Sequence, residues 1–148
     1  MRQPKGSANE LAREQFARDV EPRIAMARGT VVLDENASML EAALRSQNIR
    51  VIRPRAGATD DQIKEEILPN RIIITRNSKD FVRDASSYDY GIIALEGLRF
   101  LDPEPTRANR TVRLISDALQ DHGLWARRHG FLVTLHEDGT SELKLLTD

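Results

Sequence analysis

The stretch TVVLDEN, residues 30–36, decides the reading of this chain. A short β-branched run that breaks into two acids and an amide is a buried strand delivering polar groups to its carboxyl end. A helical pattern follows at once. Ser38 and Glu41 have the spacing of a capping box, and MLEAALRSQ carries the helix. The alternation then repeats. IRVIRP (49–54) is a second strand closed by Pro54, and Thr59 caps a short helix, DDQIKEEIL, that stops before Pro69. RIIIT (71–75) is a third strand, with a short helix starting near Asp80, and YGIIALE (90–96) is a fourth. The longest helix, Thr106 to His122, carries Val112, Ile115 and Leu119 on one face and ends at Gly123. FLVTLHE and TSELKLL, joined at Asp138-Gly139, form a closing hairpin. This order predicts an α/β fold: a mainly parallel sheet with helices on both faces and a C-terminal β-hairpin.

Residues 1–29 differ in composition and are read as an N-terminal helical extension, leaving 30–148 as the domain proper. Ser7 and Glu10 open a helix there, and Ala12, Phe16 and Val20 make one apolar stripe before Pro22. A helix of this length needs a surface to bury that stripe: its own domain, a second copy of the chain or another protein.

The chain has 148 residues, 40% hydrophobic and 30% charged, enough for one real core. It contains no cysteine, which excludes disulfides, iron–sulfur clusters and thiolate zinc sites. A polar N-terminus and the lack of a bilayer-length apolar run lead us to expect no membrane contact and a cytoplasmic location. The formal net charge of −1 is unlike that of a general nucleic-acid binder. Any nucleic acid must therefore meet a local basic patch or a metal that neutralises phosphate.

In an open parallel sheet, ligands gather outside the carboxyl ends of the strands. Asp34, Glu35 and Asn36 follow strand one, Asp60 and Asp61 open the helix after strand two, and Asn77 and Asp80 follow strand three. Carboxylates converging from separate elements suit Mg²⁺ or Mn²⁺, which take oxygen ligands and retain several waters. Such ions support phosphodiester cleavage. Each of these residues is equally an ordinary turn or cap group.

The sequence VVLDEN before a helix, then ATDDQI, then IIITRNSKDF, resembles the PIN-like domain family, in particular its short toxin-type branch of VapC-like ribonucleases. The resemblance runs from about Thr30 to Leu146. It implies a PIN-like three-layer sandwich, a metal-dependent endoribonuclease acting on single-stranded RNA, and a toxin of a toxin–antitoxin pair, with a cognate antitoxin or a homodimer as partner. Carried onto this sequence, it assigns catalysis and metal binding to Asp34, Asp60 and Asp80, with Asp61 the alternative to Asp60 by one register. Thr75, Arg76 and Asn77 match the polar turn beside Asp80. Glu35 and Asn36 take supporting roles. Where many members have Asp, this chain has Asn77, which carries no charge. That departure favours a second reading, a catalytically inactive PIN-like binding or regulatory module.

Arg107, Arg110 and Arg113 recur along the long helix and are candidates for RNA phosphate contacts; the alternative is a solvated basic face. A receiver-like module also places acids after strand one, but it needs an aspartate at the end of strand three, where Thr75 stands. His122, His129 and His136 lack zinc-site spacing, and the glycines form no nucleotide-binding loop.

Overall fold

The computed structural model describes residues 30–99, 106–127 and 130–146. The expected helices within residues 1–29, and His129, lie outside the described residues. The described part opens with β1 (Thr30–Leu33), a 3-10 segment (Glu35–Leu40) and α1 (Glu41–Ser46). β2 (Arg50–Ile52) and α2 (Asp60–Gln62) follow, the latter widening into a π turn over Ile63–Ile67. Next come β3 (Ile72–Thr75), α3 (Lys79–Val82), α4 (Ala85–Tyr88) and β4 (Gly91–Ala94). α5 (Thr106–Asp121), β5 (Phe131–Leu135) and β6 (Ser141–Leu145) complete the order.

The strands form one sheet in the order β2-β1-β3-β4-β5-β6. β1 with β3, β3 with β4, and β4 with β5 are parallel, and β6 runs antiparallel to β5 at the edge. Alternation along each strand feeds two cores, because successive side chains point to opposite faces. Val31, Leu33, Ile72, Ile74, Ile93 and Val133 meet Leu40 and Leu44 around α1 and Ala108, Val112, Ile115 and Leu119 of α5. Val32, Ile73 and Ile92 meet Ile63, Leu68, Phe81, Ala85 and Tyr90 from α2, α3 and α4. The fold is therefore α/β with helices on both faces. Fully burying each such Ile or Leu contributes about 1.5–3 kcal/mol before chain entropy is set against it.

One contact between neighbouring strands is unusually close. Gly91 faces the ring of Phe131, and a Cβ at position 91 would sit 2.1 Å from that ring. Glycine at the start of β4 is what lets the Phe131 ring enter the core beside α5.

Several local details differ from the sequence reading. The expected capping box of Ser38 and Glu41 does not open the first helix. Asp34 caps it four residues earlier by accepting from the Glu35 N–H at 2.8 Å, and the Glu41 carboxylate is held by Arg45 and Arg53. Thr59 does cap α2, in a reciprocal box with Gln62. The closing hairpin turns through three residues rather than two. His136 N–H donates to the Thr140 carbonyl, and Gly139 takes φ 93°, a conformation glycine adopts freely.

Candidate active site

The chain leaves β1 towards β2 on one side, then returns across β1 to place β3 on the other. The connections leaving β1 and β3 thus run to opposite sides, and the crevice of the sheet lies over their hydrogen-bonded carboxyl ends, where the Asp34 N–H donates to the Ile74 carbonyl at 3.1 Å. Asp34 stands at one lip and Thr75 at the other. They are joined directly: the Thr75 hydroxyl, fully buried, donates to Asp34 Oδ2 at 2.7 Å. The same hydroxyl oxygen accepts from the Asn77 N–H at 3.0 Å, while the Asn36 side chain accepts from the Arg76 N–H at 3.0 Å. Asn36 and Thr75 therefore stitch the turn after β1 to the turn after β3. Asp34 fulfils its cap role through one oxygen and this bridge through the other, so the cap and site readings of the sequence coexist in one residue.

Beside this bridge, Asn77 Nδ2 donates to Asp80 Oδ2 at 2.5 Å. Asn77 thus orients Asp80, where an aspartate would repel it. Asp60 approaches from the start of α2. Partial desolvation, then the Asp80 and Asp34 carboxylates, push its carboxyl above the usual aspartate range, with Lys64 opposing and Asp61 adding to the rise. Asp60 is therefore within electrostatic reach of both Asp80 and Asp34. A cleft of about 220 Å³ is lined by Asp34, Glu35 and Asp60 together with Arg53 to Ala58 and Ile63. Between the two register choices, Asp60 lines this cleft; Asp61 is exposed and is not part of its lining.

Among the described residues, no group of three or more Asp, Glu or His side chains is poised to grip a metal ion directly. Asp34 is engaged by Thr75 and the Glu35 N–H, and Asp80 by Asn77. Direct coordination by three of these carboxylates is therefore not what the described residues offer; a hydrated Mg²⁺ or Mn²⁺ would need only one or two of them directly. A cation there would relieve the mutual repulsion that Asp60 registers.

Two charged residues at this end of the sheet escaped the sequence reading. Glu96, just beyond β4, accepts from both the N–H and the hydroxyl of Ser78, at 2.7 and 2.6 Å. The strand-end rule that singles out Asp34 applies equally to YGIIALE. Lys64, buried on α2, pairs with Asp84 at 2.9 Å and lies 5.8 Å from the centre of the Phe81 ring. No sequence signal links residues twenty positions apart.

On α5, Arg107 is half-buried and Arg110 and Arg113 are exposed. The buried residues of α5 are Ala108, Thr111, Val112, Ile115, Ala118 and Leu119. With 3.6 residues per turn, each three-residue step winds back by about 60°. The arginines therefore drift from the flank of the buried stripe to the opposite side of the helix rather than lining one face.

Comparison with protein-family models, with curated proteins and with solved structures gives no match. Among the described residues, no helix is long and apolar enough to cross a membrane.

Proposed function

We propose that this chain is a metal-dependent endoribonuclease of PIN-like type that cleaves single-stranded RNA. The observation that supports it best is geometric: Asp34 and Asp60 line one cleft at the β1–β3 crevice, and Asp80 is held next to the Asp34–Thr75 bridge through Asn77, the three carboxylates coming from separate crossovers. Carboxylates kept in repulsion at a cleft are compensated by a cation, and the oxygen-rich donors suit Mg²⁺ or Mn²⁺. Such a cation supplies charge neutralisation and water activation at a phosphodiester. The chain's own residues do the positioning. Thr75 fixes the rotamer of Asp34, Asn77 that of Asp80, and the box of Thr59 and Gln62 sets the turn that presents Asp60. Glu35 lies in the cleft lining and Asp61 adds negative charge to its rim. A role as the toxin of a toxin–antitoxin pair, a cytoplasmic setting, and an antitoxin or second copy as partner belong to the same proposal.

The full chain with single-stranded RNA and Mn²⁺ is expected to produce internal cuts, and EDTA to stop them. Equal cleavage in EDTA, or none in any divalent metal, overturns the reading. Replacing Arg107, Arg110 and Arg113 together is expected to weaken RNA binding and flatten its salt dependence; an unchanged salt slope returns them to a solvated face.

One observation favours the inactive binding module. Asn77 contributes no charge and occupies an oxygen of Asp80. If that reading holds, Asn77→Asp gains Mn²⁺-dependent cleavage over a silent wild type. If the enzyme reading holds, wild type already cleaves.

A further inference from the structure

The cleft has a basic wall that the acids do not explain. Arg53 and Arg55 line it from the loop between β2 and α2, facing a lining that includes Asp34, Glu35 and Asp60. The two arginines are not equivalent. Arg53 Nη1 meets Glu41 Oε1 at 2.8 Å, and the other Glu41 oxygen meets Arg45 at 2.9 Å. Arg45 in turn donates to the Val51 carbonyl at 3.2 Å. Arg45, then Arg53, hold the Glu41 carboxyl below its usual range, so the charge of Arg53 is answered and its loop is tied to α1. Arg55 is exposed, and among the described residues it has no ion pair. Its backbone is nonetheless fixed. The Ala58 N–H donates to the Arg55 carbonyl at 3.1 Å, and Gly57 at φ 85° closes the turn.

We propose that Arg55 is the phosphate-contacting residue of this cleft, gripping the sugar–phosphate backbone of single-stranded RNA next to the acidic groups. The inference rests on the ribonuclease reading and deepens it. An anion entering a cleft that carries Asp34, Glu35 and Asp60 meets repulsion, and the unpaired guanidinium of Arg55, a residue of the same lining, offsets it. The guanidinium fork matches two phosphate oxygens at once, which an ammonium does not. The cleft, at about 220 Å³, is smaller than the roughly 300–1,000 Å³ that encloses a drug-sized ligand. It suits one phosphate–ribose unit with the bases left outside. Contacts to phosphate carry no sequence information, so Arg55 contributes equally to unrelated RNA sequences.

The test is fluorescence anisotropy of a labelled single-stranded oligoribonucleotide on the full chain. Binding is followed across KCl concentrations in Ca²⁺, and cleavage is followed separately in Mn²⁺. Arg55→Ala is expected to weaken binding about tenfold and to reduce the log K against log salt slope by roughly 0.7, the share of one phosphate contact on a single strand. Two unrelated oligonucleotide sequences are expected to lose affinity alike. Arg55→Lys is expected to restore the slope but only part of the affinity. Unchanged slope and affinity in Arg55→Ala, with wild type still cleaving RNA, overturn the Arg55 contact and leave the ribonuclease reading standing. A wild-type chain that neither binds nor cleaves RNA overturns both.

Discussion

Asp60 and Lys64 lie one helical turn apart in the α2 region, yet they sit in opposite electrostatic circumstances. Lys64 is buried, and its ammonium is met by Asp84 at 2.9 Å with the Phe81 ring beneath its stem. Asp60 opens on a cleft and is surrounded by Asp80, Asp34 and Asp61. The first charge is compensated inside the protein and binds α2 to the start of α4. The second is compensated only in part, by Lys64, and partial desolvation, then Asp80 and Asp34, raise its pKa. One charge is thus answered inside the fold while the other stands among like charges at a cleft, the kind of arrangement that marks a candidate functional site.

The sharpest way to break this contrast is at Asp34. Asp34→Asn keeps the shape of the side chain and removes the charge, leaving one acceptor oxygen for the Glu35 N–H or the Thr75 hydroxyl but not both. It is expected to lower Mn²⁺-dependent cleavage by about 100-fold or more while the melting temperature stays near wild type. Full cleavage by a folded Asp34→Asn chain would place the chemistry elsewhere.

The compensated side is tested by Lys64→Met, which keeps the buried stem and deletes the ammonium. A loss of about 1–3 kcal/mol in denaturant unfolding is expected, as for other broken buried networks. The pH dependence carries a second signature. The hydrogen bond from Lys64, followed by its charge, holds the Asp84 carboxyl below the usual aspartate range. Its stabilisation is present above the unfolded-state pKa and is lost as pH falls through the folded one. Lys64→Met is therefore expected to show a shallower acid-side fall in stability than wild type. Identical acid limbs would mean that the pair does not couple to folding.

The smallest effect is expected at Asp60. Its folded pKa is raised, so the native state holds this proton more readily than the unfolded chain. The associated stability is complete below the unfolded pKa and fades as pH rises through the folded one. In metal-free buffer at neutral pH, Asp60→Asn is expected to stabilise the protein by less than about 1 kcal/mol, since solvent screens the exposed group. The gain should vanish in acid. A destabilised Asp60→Asn protein would show that the carboxylate is a helix cap first and a site residue second.

The sequence revealed the fold where periodicity and punctuation agreed: the Ile runs of β3 and β4, the stripe of α5, and the Asp-Gly turn between β5 and β6. It misplaced the start of the first helix because Asp34 and Ser38 are both competent caps, and only the contacts of Glu41 with Arg45 and Arg53 decide between them. Asp34 was legible as a candidate from the end of its strand, and Asp60 and Asp80 from the first turns of the helices that follow two others. The link that orients Asp34, from Thr75 across 41 positions, and the separate pairing of Lys64 with Asp84 across 20, are set by strand pairing and helix docking. Local spacing carries no trace of either. Arg53 and Arg55 were passed over because one loop with a glycine looks like any other until its neighbours are known.

Gly91 and Phe131 have a consequence for the history of such a chain. A side chain at position 91 and an aromatic ring at position 131 exclude each other, since the ring already occupies the space a Cβ would need. Neither residue can drift alone in that direction. A lineage that enlarges position 91 must first trim position 131, and one that has acquired the ring is held to glycine. Change at position 91 should therefore be found only where position 131 has lost its ring, a one-way dependency between adjacent strands that is independent of whatever the acidic crevice does.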